Sequence, residues 1–316
     1  MTPERQEELK KLLTSTDFKE DSYKELPIQE IIILKNSACG VKEANKDNEN
    51  VHTFFEKREQ FFQHLILRYL QNSETVYVLF CKATNLPFVY CDPDTCNDQI
   101  WLFTDERFAA KQASDLMKEA NHELTIVKLE TKQYLGFYMS LYTMGVNEIL
   151  MDKGFNSVGV ELNTLVRQPD LEKVPAEKRP VMNPELVLTG IYFTQELRRK
   201  VENEKKEGLK DLEEEMLVNL QRGRFILPIQ LPEGMKPEDK PSPQDIKIAF
   251  VKMPNGDVFQ PLCTDPTEFQ KFNREKKFHG IAVTYDKLKG MMVPNAKGLV
   301  LNPATLRLAL PKEKIQ

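Results

Sequence analysis

The sequence predicts an α/β or α+β fold made of two diverged copies of one unit, each a helix followed by a mixed sheet. Residues 247–303 alternate short β-branched runs with segments that carry helix-start signals. A helical pattern with a broad apolar face precedes the first strand of each copy. The same order of elements then recurs along the chain, and the differing spacings between matches indicate loops of different length.

The length and composition fit a chain of about two domains with enough apolar residues to form cores. The chain has 316 residues, of which 41% are hydrophobic and 29% charged. We expect an N-terminal extension at 1–48, a first unit at 49–182, a helical linker at 183–208 and a second unit at 209–316.

The net charge indicates which kinds of partner to expect, and the cysteine content indicates the cellular compartment. The formal net charge is −4, so no global basic field favours nucleic acid or an anionic membrane. The N-terminus lacks the apolar core of a signal peptide, and the aliphatic run at 31–34 is far too short to cross a bilayer. Five scattered cysteines predict no disulfide framework. We expect a cytoplasmic protein.

The second copy has the clearest turn and helix-start signals. Residues 248–251 alternate as a strand, Asn255-Gly256 is typical of a tight hairpin turn, and 258–262 returns beside the first strand. Asp265 is placed to cap the next helix, with a proline at the first helical position and Glu268 as the partner of a capping box.

The first copy has the same order. Apolar residues at helical spacing predict a helix at 51–70, and strands are expected at 75–80, 86–91, 99–103 and 124–129. Thr104-Asp105 is expected to cap a helix before the last of these strands, and a second helix is expected at 133–144 after it.

Several flanking segments also carry predictions. The β-branched run at 28–34 predicts a strand that joins a sheet, and the polar run at 42–50 predicts a linker. Residues 186–220 are expected to be mostly helical with a break at Gly208. The proline-containing stretches at 169–180 and 231–243 predict loops.

Two segments of the second copy suggest a family. Residues 257–265 read DVFQPLCTD before a Phe-bearing helix, and residues 298–303 read GLVLNP at the end of the copy. This set resembles the N-terminal domain of the SseB-like family, of the serine-sensitivity enhancing type, across 209–316 and more faintly across 51–165. That family has no agreed activity and no established catalytic residues, so the resemblance implies a fold and no site.

Polar pairs that recur in both copies are the candidate site residues. Thr104 and Asp105 match Thr264 and Asp265 in sequence. Either pair fits helix capping, which stabilises by about 1 kcal/mol, or a catalytic or ligand-binding role. Asn302 in the second copy matches either Asn163 or Asn183 in the first, and the sequence leaves that choice open.

Other chemistry-bearing residues favour structural interpretations. Cys91 and Cys96 lie in an acidic turn without the spacing of a structural zinc or calcium site. Cys263 precedes a helix N-terminus but also fits a buried strand position. The basic run at 198–200 is interleaved with glutamates further on, which predicts a solvated helix. No phosphate-binding glycine loop or nucleophile motif occurs.

These observations favour a cytosolic, non-enzymatic binding or regulatory protein that acts through protein–protein contacts, with no cofactor or metal. The partner is expected to be another protein rather than nucleic acid or a membrane. The alternative is an enzyme or small-metabolite sensor with a pocket between the two copies, drawing on Asp105, Asp265, Asn163 and Asn302.

Overall fold

A computed structural model describes residues 2–17, 20–167, 173–175, 178–232, 234 and 246–315. These residues form α-helices and mixed or antiparallel sheets, which confirms the α/β or α+β class. The described helices are α1 (Pro3–Thr14), α2 (Glu20–Lys24), α3 (Ile28–Ala44), α4 (Glu49–Asn72), α5 (Glu106–Ala120), α6 (Thr131–Thr143), α7 (Pro184–Leu197), α8 (Leu209–Arg222), α9 (Pro266–Phe272) and α10 (Tyr285–Gly290).

The strands fall into a first half, from α1 to β7, and a second half, from α7 to β14. The first half contains β1 (Thr75–Cys81), β2 (Leu86–Pro87), β3 (Val89–Cys91), β4 (Asp98–Phe103), β5 (Leu124–Glu130), β6 (Glu148–Met151) and β7 (Val158–Glu161). The second half contains β8 (Arg224–Gln230), β9 (Lys247–Ile248), β10 (Val251–Lys252), β11 (Val258–Leu262), β12 (His279–Thr284), β13 (Gly298–Leu301) and β14 (Leu308–Pro311).

The seven strands of the first half form one sheet. β1 pairs antiparallel with β2, β4 and β5, and β4 also pairs antiparallel with β3. β4 and β6 run parallel, and β6 pairs antiparallel with β7. A parallel pair needs a long crossover, which α5, β5 and α6 supply here.

The second half repeats these pairings in the same order. β8 pairs antiparallel with β9 and β12, β11 pairs antiparallel with β10 and parallel with β13, and β13 pairs antiparallel with β14. The link between β8 and β11 is reduced to one bridge between Ile226 and Cys263. The strands of this half therefore form two sheets joined at a single point.

Each sheet follows a pair of packed helices. α3 packs on α4 in the first half, and α7 packs on α8 in the second. α7 also reaches the first half, because the amide of Gln195 bonds both the N–H and the carbonyl of Val89 at 3.1 and 3.0 Å. Tyr192 donates to Asp98 Oδ1 at 2.6 Å. The segment at 183–208, expected as a linker, thus holds the edge of the first sheet.

The main hydrophobic core runs through both halves and includes the buried faces of α3, α4, α7 and α8. A second, smaller cluster lies on the other face of the first sheet, beneath α5, around Leu79, Phe88, Trp101 and Phe103. The first sheet is therefore covered on both faces, and its edge is protected by α7.

Several sequence predictions are wrong, each for a local reason. The run at 28–34 forms the start of α3 rather than a strand, because Ile31, Ile32 and Leu34 are buried in the packed helix pair and tertiary packing overrides strand propensity. The expected linker at 42–50 contains the end of α3 and the start of α4.

Other predictions hold in part. The strand expected at 248–251 divides into β9 and β10, which pair with different partners, β8 and β11. The hairpin between β10 and β11 is confirmed, with Gly256 at a φ of +90°. The helical stretch at 186–220 is interrupted from Arg198 to Gly208. Half of the predicted loop at 169–180 and most of the predicted loop at 231–243 lie outside the described residues.

Candidate functional site

The recurrent Thr-Asp pairs lie at the same point of both halves, where the parallel strands end. Thr104 directly follows β4, and Thr264 follows Cys263, the bridged residue after β11. The next residue in each half, Asp105 or Asp265, caps the helix α5 or α9. The carboxyl ends of parallel strands are a common place for ligand sites in α/β proteins. We call these two places the first junction and the second junction.

In the second junction, Thr264 and Asn302 bond each other closely. Asn302 Oδ1 accepts from the Thr264 N–H at 3.0 Å, and Asn302 Nδ2 donates to Thr264 Oγ1 at 2.9 Å. The Thr264 hydroxyl in turn donates to Asp265 Oδ2 at 2.8 Å. All three residues are buried, and their polar groups bond one another.

Asp265 caps α9 as predicted, because its Oδ1 accepts from the N–H groups of Thr267 and Glu268 at 2.8 and 3.0 Å. The expected capping box is not formed. Glu268 instead accepts from Lys271 Nζ at 2.7 Å and from the hydroxyl of Thr305. Both buried carboxylates therefore serve structural contacts.

The first junction uses a different acid. Asp152, the residue after β6, accepts from the N–H and the hydroxyl of Thr104 at 2.8 and 2.7 Å, and Gln29 of α3 donates to the same carboxylate. Burial raises the pKa of Asp152, and the hydrogen bonds from Thr104 oppose that rise. Matching residue types between the two copies does not identify Asp152, because it is an acid and its counterpart Asn302 is an amide. It does not identify Gln29 either.

Asp105 turns outward from the first junction. It caps α5 through the Arg107 N–H at 2.8 Å and forms an ion pair with the Arg107 side chain. The side-chain and backbone hydrogen bonds from Arg107 lower the pKa of Asp105 to about 2. Thr104 and Asp105 are therefore neighbours in sequence with separate partners.

Neither of the two expected matches to Asn302 is correct. The β4–β6 and β11–β13 registers place Asp152 and Asn302 at the same position, one residue beyond Met151 and Leu301. Asn163 is exposed in a 3-10 turn. Asn183 is buried just before α7 and bonds the carbonyls of Arg224 and Thr264, at 2.7 Å each.

A cleft of about 330 Å³ lies between the two halves, and we call it the interunit cleft. Its apolar wall comes from the turn after β1, from α6 and from α7, and its polar wall from the second junction and α9. Of the predicted site residues, it includes Asp265 and Asn302. Representative lining residues are Phe80, Leu86, Phe137, Val187, Asp265 and Lys271.

The outer face of α6 continues from this cleft. Gly136 and Ser140 line the cleft, and the adjacent residues Leu135 and Met139 project from the next stripe of the helix with 69% and 39% exposure. Large side chains with this exposure, one turn apart, form an apolar strip beside a cavity.

The cysteines show no sign of an activated thiol. Burial raises the pKa of Cys263 and of Cys81, so the helix N-terminus after Cys263 does not produce a thiolate. Cys91 and Cys96 are exposed and free. Asp92, in the same turn, accepts from two backbone N–H groups at 2.9 and 3.1 Å. Within the described part of the chain, no group of three or more His, Cys, Asp or Glu residues is placed to hold a metal.

The basic run at 198–200 is not on a solvated helix. α7 ends at Leu197, and Arg198 and Arg199 are partly buried beyond it. Arg198 donates to the carbonyls of Ala83 and Leu306, one from each half of the chain. It therefore links the two halves directly.

Comparisons with known proteins give two distant structural similarities. No family model and no curated protein sequence matches the chain. Tic22 from Plasmodium falciparum is 12% identical with a TM-score of 0.19, covering 79% of this chain and 93% of that one. Anabaena Tic22 (protein transport) is 11% identical with a TM-score of 0.16, covering 72% and 84%.

Similarity at these scores carries no argument about fold or function, and the resemblance to the SseB-like family stays a prediction. Among the described helices, none combines the length and apolar character needed to cross a bilayer.

Proposed function

We propose that this chain is a non-enzymatic binding protein that acts through protein–protein contacts, and that its partner docks along α6 and into the interunit cleft. The observation that carries the proposal is the exposure of Leu135 and Met139 on the stripe of α6 that adjoins the cleft. Apolar strips beside a pocket are typical of surfaces that bind a protein segment.

The lining of the cleft supports this proposal. Phe80, Leu86, Phe137 and Val187 offer an apolar wall to an inserted side chain, and Lys271 stands on the polar side. Binding energy at protein interfaces concentrates where an apolar anchor fills such a pocket inside a polar rim.

The state of the polar groups also favours binding over catalysis. A general base or nucleophile needs a lone pair free to reach a substrate. Asp265 accepts from Thr264 and from two backbone N–H groups, and Glu268 accepts from Lys271 and Thr305, so both carboxylates are already engaged in structural bonds.

The test is partner capture with matched variants. Tagged wild-type chain, a Leu135→Gln/Met139→Gln double variant and a Val218→Gln control would be expressed in the native host and cross-linked before purification. Val218 is a suitable control because it is 45% exposed on α8, away from the cleft lining. We expect one protein to be retained by the wild type and the control and lost with the double variant. Equal retention by all three, or no retained protein, contradicts the proposal.

A second candidate function, the binding of a small polar metabolite, is favoured by the polar wall of the same cleft. Asp265, Thr267, Lys271 and Asn302 all contribute to it, and a few polar groups in an apolar pocket are typical of small-ligand sites. A Ser140→Trp variant fills the cleft. A metabolite that raises the melting temperature of the wild type but not of this variant, without a retained protein, supports the second candidate over the first.

We place the protein in the cytoplasm as part of this proposal. All five cysteines are free, including the exposed Cys91 and Cys96, as is usual in a reducing compartment. Rapid alkylation of intact cells followed by mass spectrometry should find both as thiols. Recovery as a Cys91–Cys96 disulfide contradicts the assignment. The net charge of −4 supports a protein rather than a nucleic-acid partner.

A further inference from the structure

A second cavity, lined by cationic side chains, lies where the end of β1, the start of β5 and the end of α7 meet. It encloses about 200 Å³, and we call it the basic pocket. Its charged or polar lining includes Lys82, Asn121, His122, Arg198, Arg199 and Lys200. None of these residues lines the interunit cleft.

The charges around the basic pocket do not balance. Lys82, Arg198, Arg199 and Lys200 face one lining carboxylate, Glu123, which already bonds Lys200 Nζ at 2.7 Å. Glu196, close by, is engaged by the Arg199 side chain at 2.6 and 2.9 Å. These two ion pairs involve Lys200 and Arg199, so Lys82 and Arg198 remain without an ion-pair partner among the described residues.

Arg198 is the cation without a counterion. Its guanidinium donates to the carbonyls of Ala83, Leu306 and Arg307, which are neutral acceptors. Within the described part of the chain it forms no ion pair. A guanidinium has five N–H groups, and these three bonds leave the Nε–H and one Nη2–H for another acceptor. Burial, with a smaller contribution from Arg307, lowers the pKa of Arg198, which is the response of a cation that lacks a neighbouring anion.

The other lining groups fit an anionic guest. Lys82 is exposed and forms no side-chain ion pair with a described residue. Burial and the charge of Arg199 lower the pKa of His122 and so disfavour its charged form while the pocket is without an anion. Asn121, at a φ of +54°, ends α5 beside the cavity. The cavity has the volume of several water molecules at about 30 Å³ each, which suits a small oxyanion group.

We propose that the basic pocket binds a phosphate group, either inorganic phosphate or a small phosphomonoester, through Arg198 and Lys82. Arginine presents paired donors that match two oxygens of a phosphate, and lysine supplies a flexible second charge. The bound phosphate is the missing counterion of Arg198, and the carbonyl contacts of Ala83, Leu306 and Arg307 hold the guanidinium in position for it.

The experiment is calorimetric titration of the full chain with inorganic phosphate at constant ionic strength, in parallel with glycerol phosphate. Lys82→Gln is the main variant because Lys82 is exposed and forms no ion pair with a described residue, and its charge acts on Glu123 without a direct bond. Lys210→Gln is the matched control, since Lys210 is exposed on α8 and the variant changes the net charge equally. Arg198→Lys keeps the charge but removes the paired donors, and circular dichroism checks its fold.

We expect saturable binding by the wild type and by Lys210→Gln, with the affinity reduced about fivefold by Lys82→Gln and about tenfold or more by Arg198→Lys. Tighter binding of glycerol phosphate identifies a phosphomonoester as the ligand, and equal or weaker binding identifies free phosphate. Absence of saturation in the wild type, or equal affinity in Lys82→Gln and Lys210→Gln, overturns the proposal even where Arg198→Lys fails to fold.

Discussion

The first and second junctions each bond a threonine to one buried carboxylate, but the carboxylate comes from different places. In the first junction it is Asp152, at the end of β6. In the second it is Asp265, the helix cap next to the threonine, and the position at the end of β13 holds the neutral Asn302. Both junctions therefore share the threonine and side-chain acceptors for its N–H and hydroxyl. The negative charge lies at the end of the parallel strand in the first junction and at the helix cap in the second.

The rest of each junction follows from where the charge lies. Asp105 is free to turn towards solvent and Arg107, because Asp152 already accepts from Thr104. In the second junction, Asp265 is drawn inward to serve both α9 and Thr264. Two adjacent buried carboxylates without a counterion would repel. In each junction one carboxylate bonds the threonine, and the other buried acid of the second junction, Glu268, is paired with Lys271.

Asn302→Asp breaks this arrangement and should have the largest effect. It places a second carboxylate beside Thr264, opposite Asp265, and removes the Nδ2 donor to Thr264 Oγ1. We expect the free energy of unfolding at pH 7 to fall by about 3 kcal/mol, measured by urea denaturation. A loss below about 0.5 kcal/mol would contradict the need for a single carboxylate.

The double variant Asn302→Asp/Asp265→Asn is the matched control. It moves the charge to the end of β13, which is the layout of the first junction, and asparagine still caps α9. We expect it to recover more than half of the stability that Asn302→Asp loses. An additive loss from the two changes would show that the positions do not exchange roles.

Removal of the two helix caps should have an intermediate and unequal effect. Asp265→Ala leaves two N–H groups of α9 without their acceptor in a buried site, and the Thr264 hydroxyl keeps only its longer bond to Asn302 Oδ1 at 3.2 Å. We expect a loss of about 2 to 3 kcal/mol. Asp105→Ala, at a half-buried cap, should cost about 1 kcal/mol. Equal losses in urea denaturation would refute the contrast between the buried and the half-buried cap.

The sequence predicted the parts of the junctions that depend on local pattern. Asp105 and Asp265 were placed as helix caps because a capping acid before a helical pattern has a local signature. The partner of each threonine depends instead on the register of two parallel strands far apart in sequence. Matching by residue type led to Asn163 and Asn183, whereas register leads to Asp152.

The helical layer shows the same limit. An isoleucine-rich run at 28–34 favours a strand by composition, yet it is buried against α4 as the start of α3. Gln29, in that helix, closes the first junction by bonding Asp152. Neither the helix nor this contact could be predicted without knowing that α3 and α4 pack together. The interunit cleft and the basic pocket depend on packing between distant segments in the same way.

Asp152→Asn should have the smallest effect at neutral pH and the most informative pH dependence. The loss of charged hydrogen bonds is offset by the loss of a buried charge, so we expect a change within about 1 kcal/mol at pH 7. Burial raises the pKa of Asp152 above its ordinary value of 3.8, so the folded chain holds that proton more tightly than the unfolded chain. The stability from this protonation is fully present below the unfolded pKa and is lost as the pH rises through the folded pKa.

The wild type should therefore gain stability relative to Asp152→Asn as the pH falls from 7 towards 4, in urea denaturation at each pH. Asp105→Asn gives the opposite sign, because the pKa of Asp105 is lowered to about 2. The stability from Asp105 is present above the unfolded pKa and is lost as the pH falls through the folded one. Slopes of the same sign in both variants would contradict the assignment of Asp152 as the buried acid and Asp105 as the solvated one.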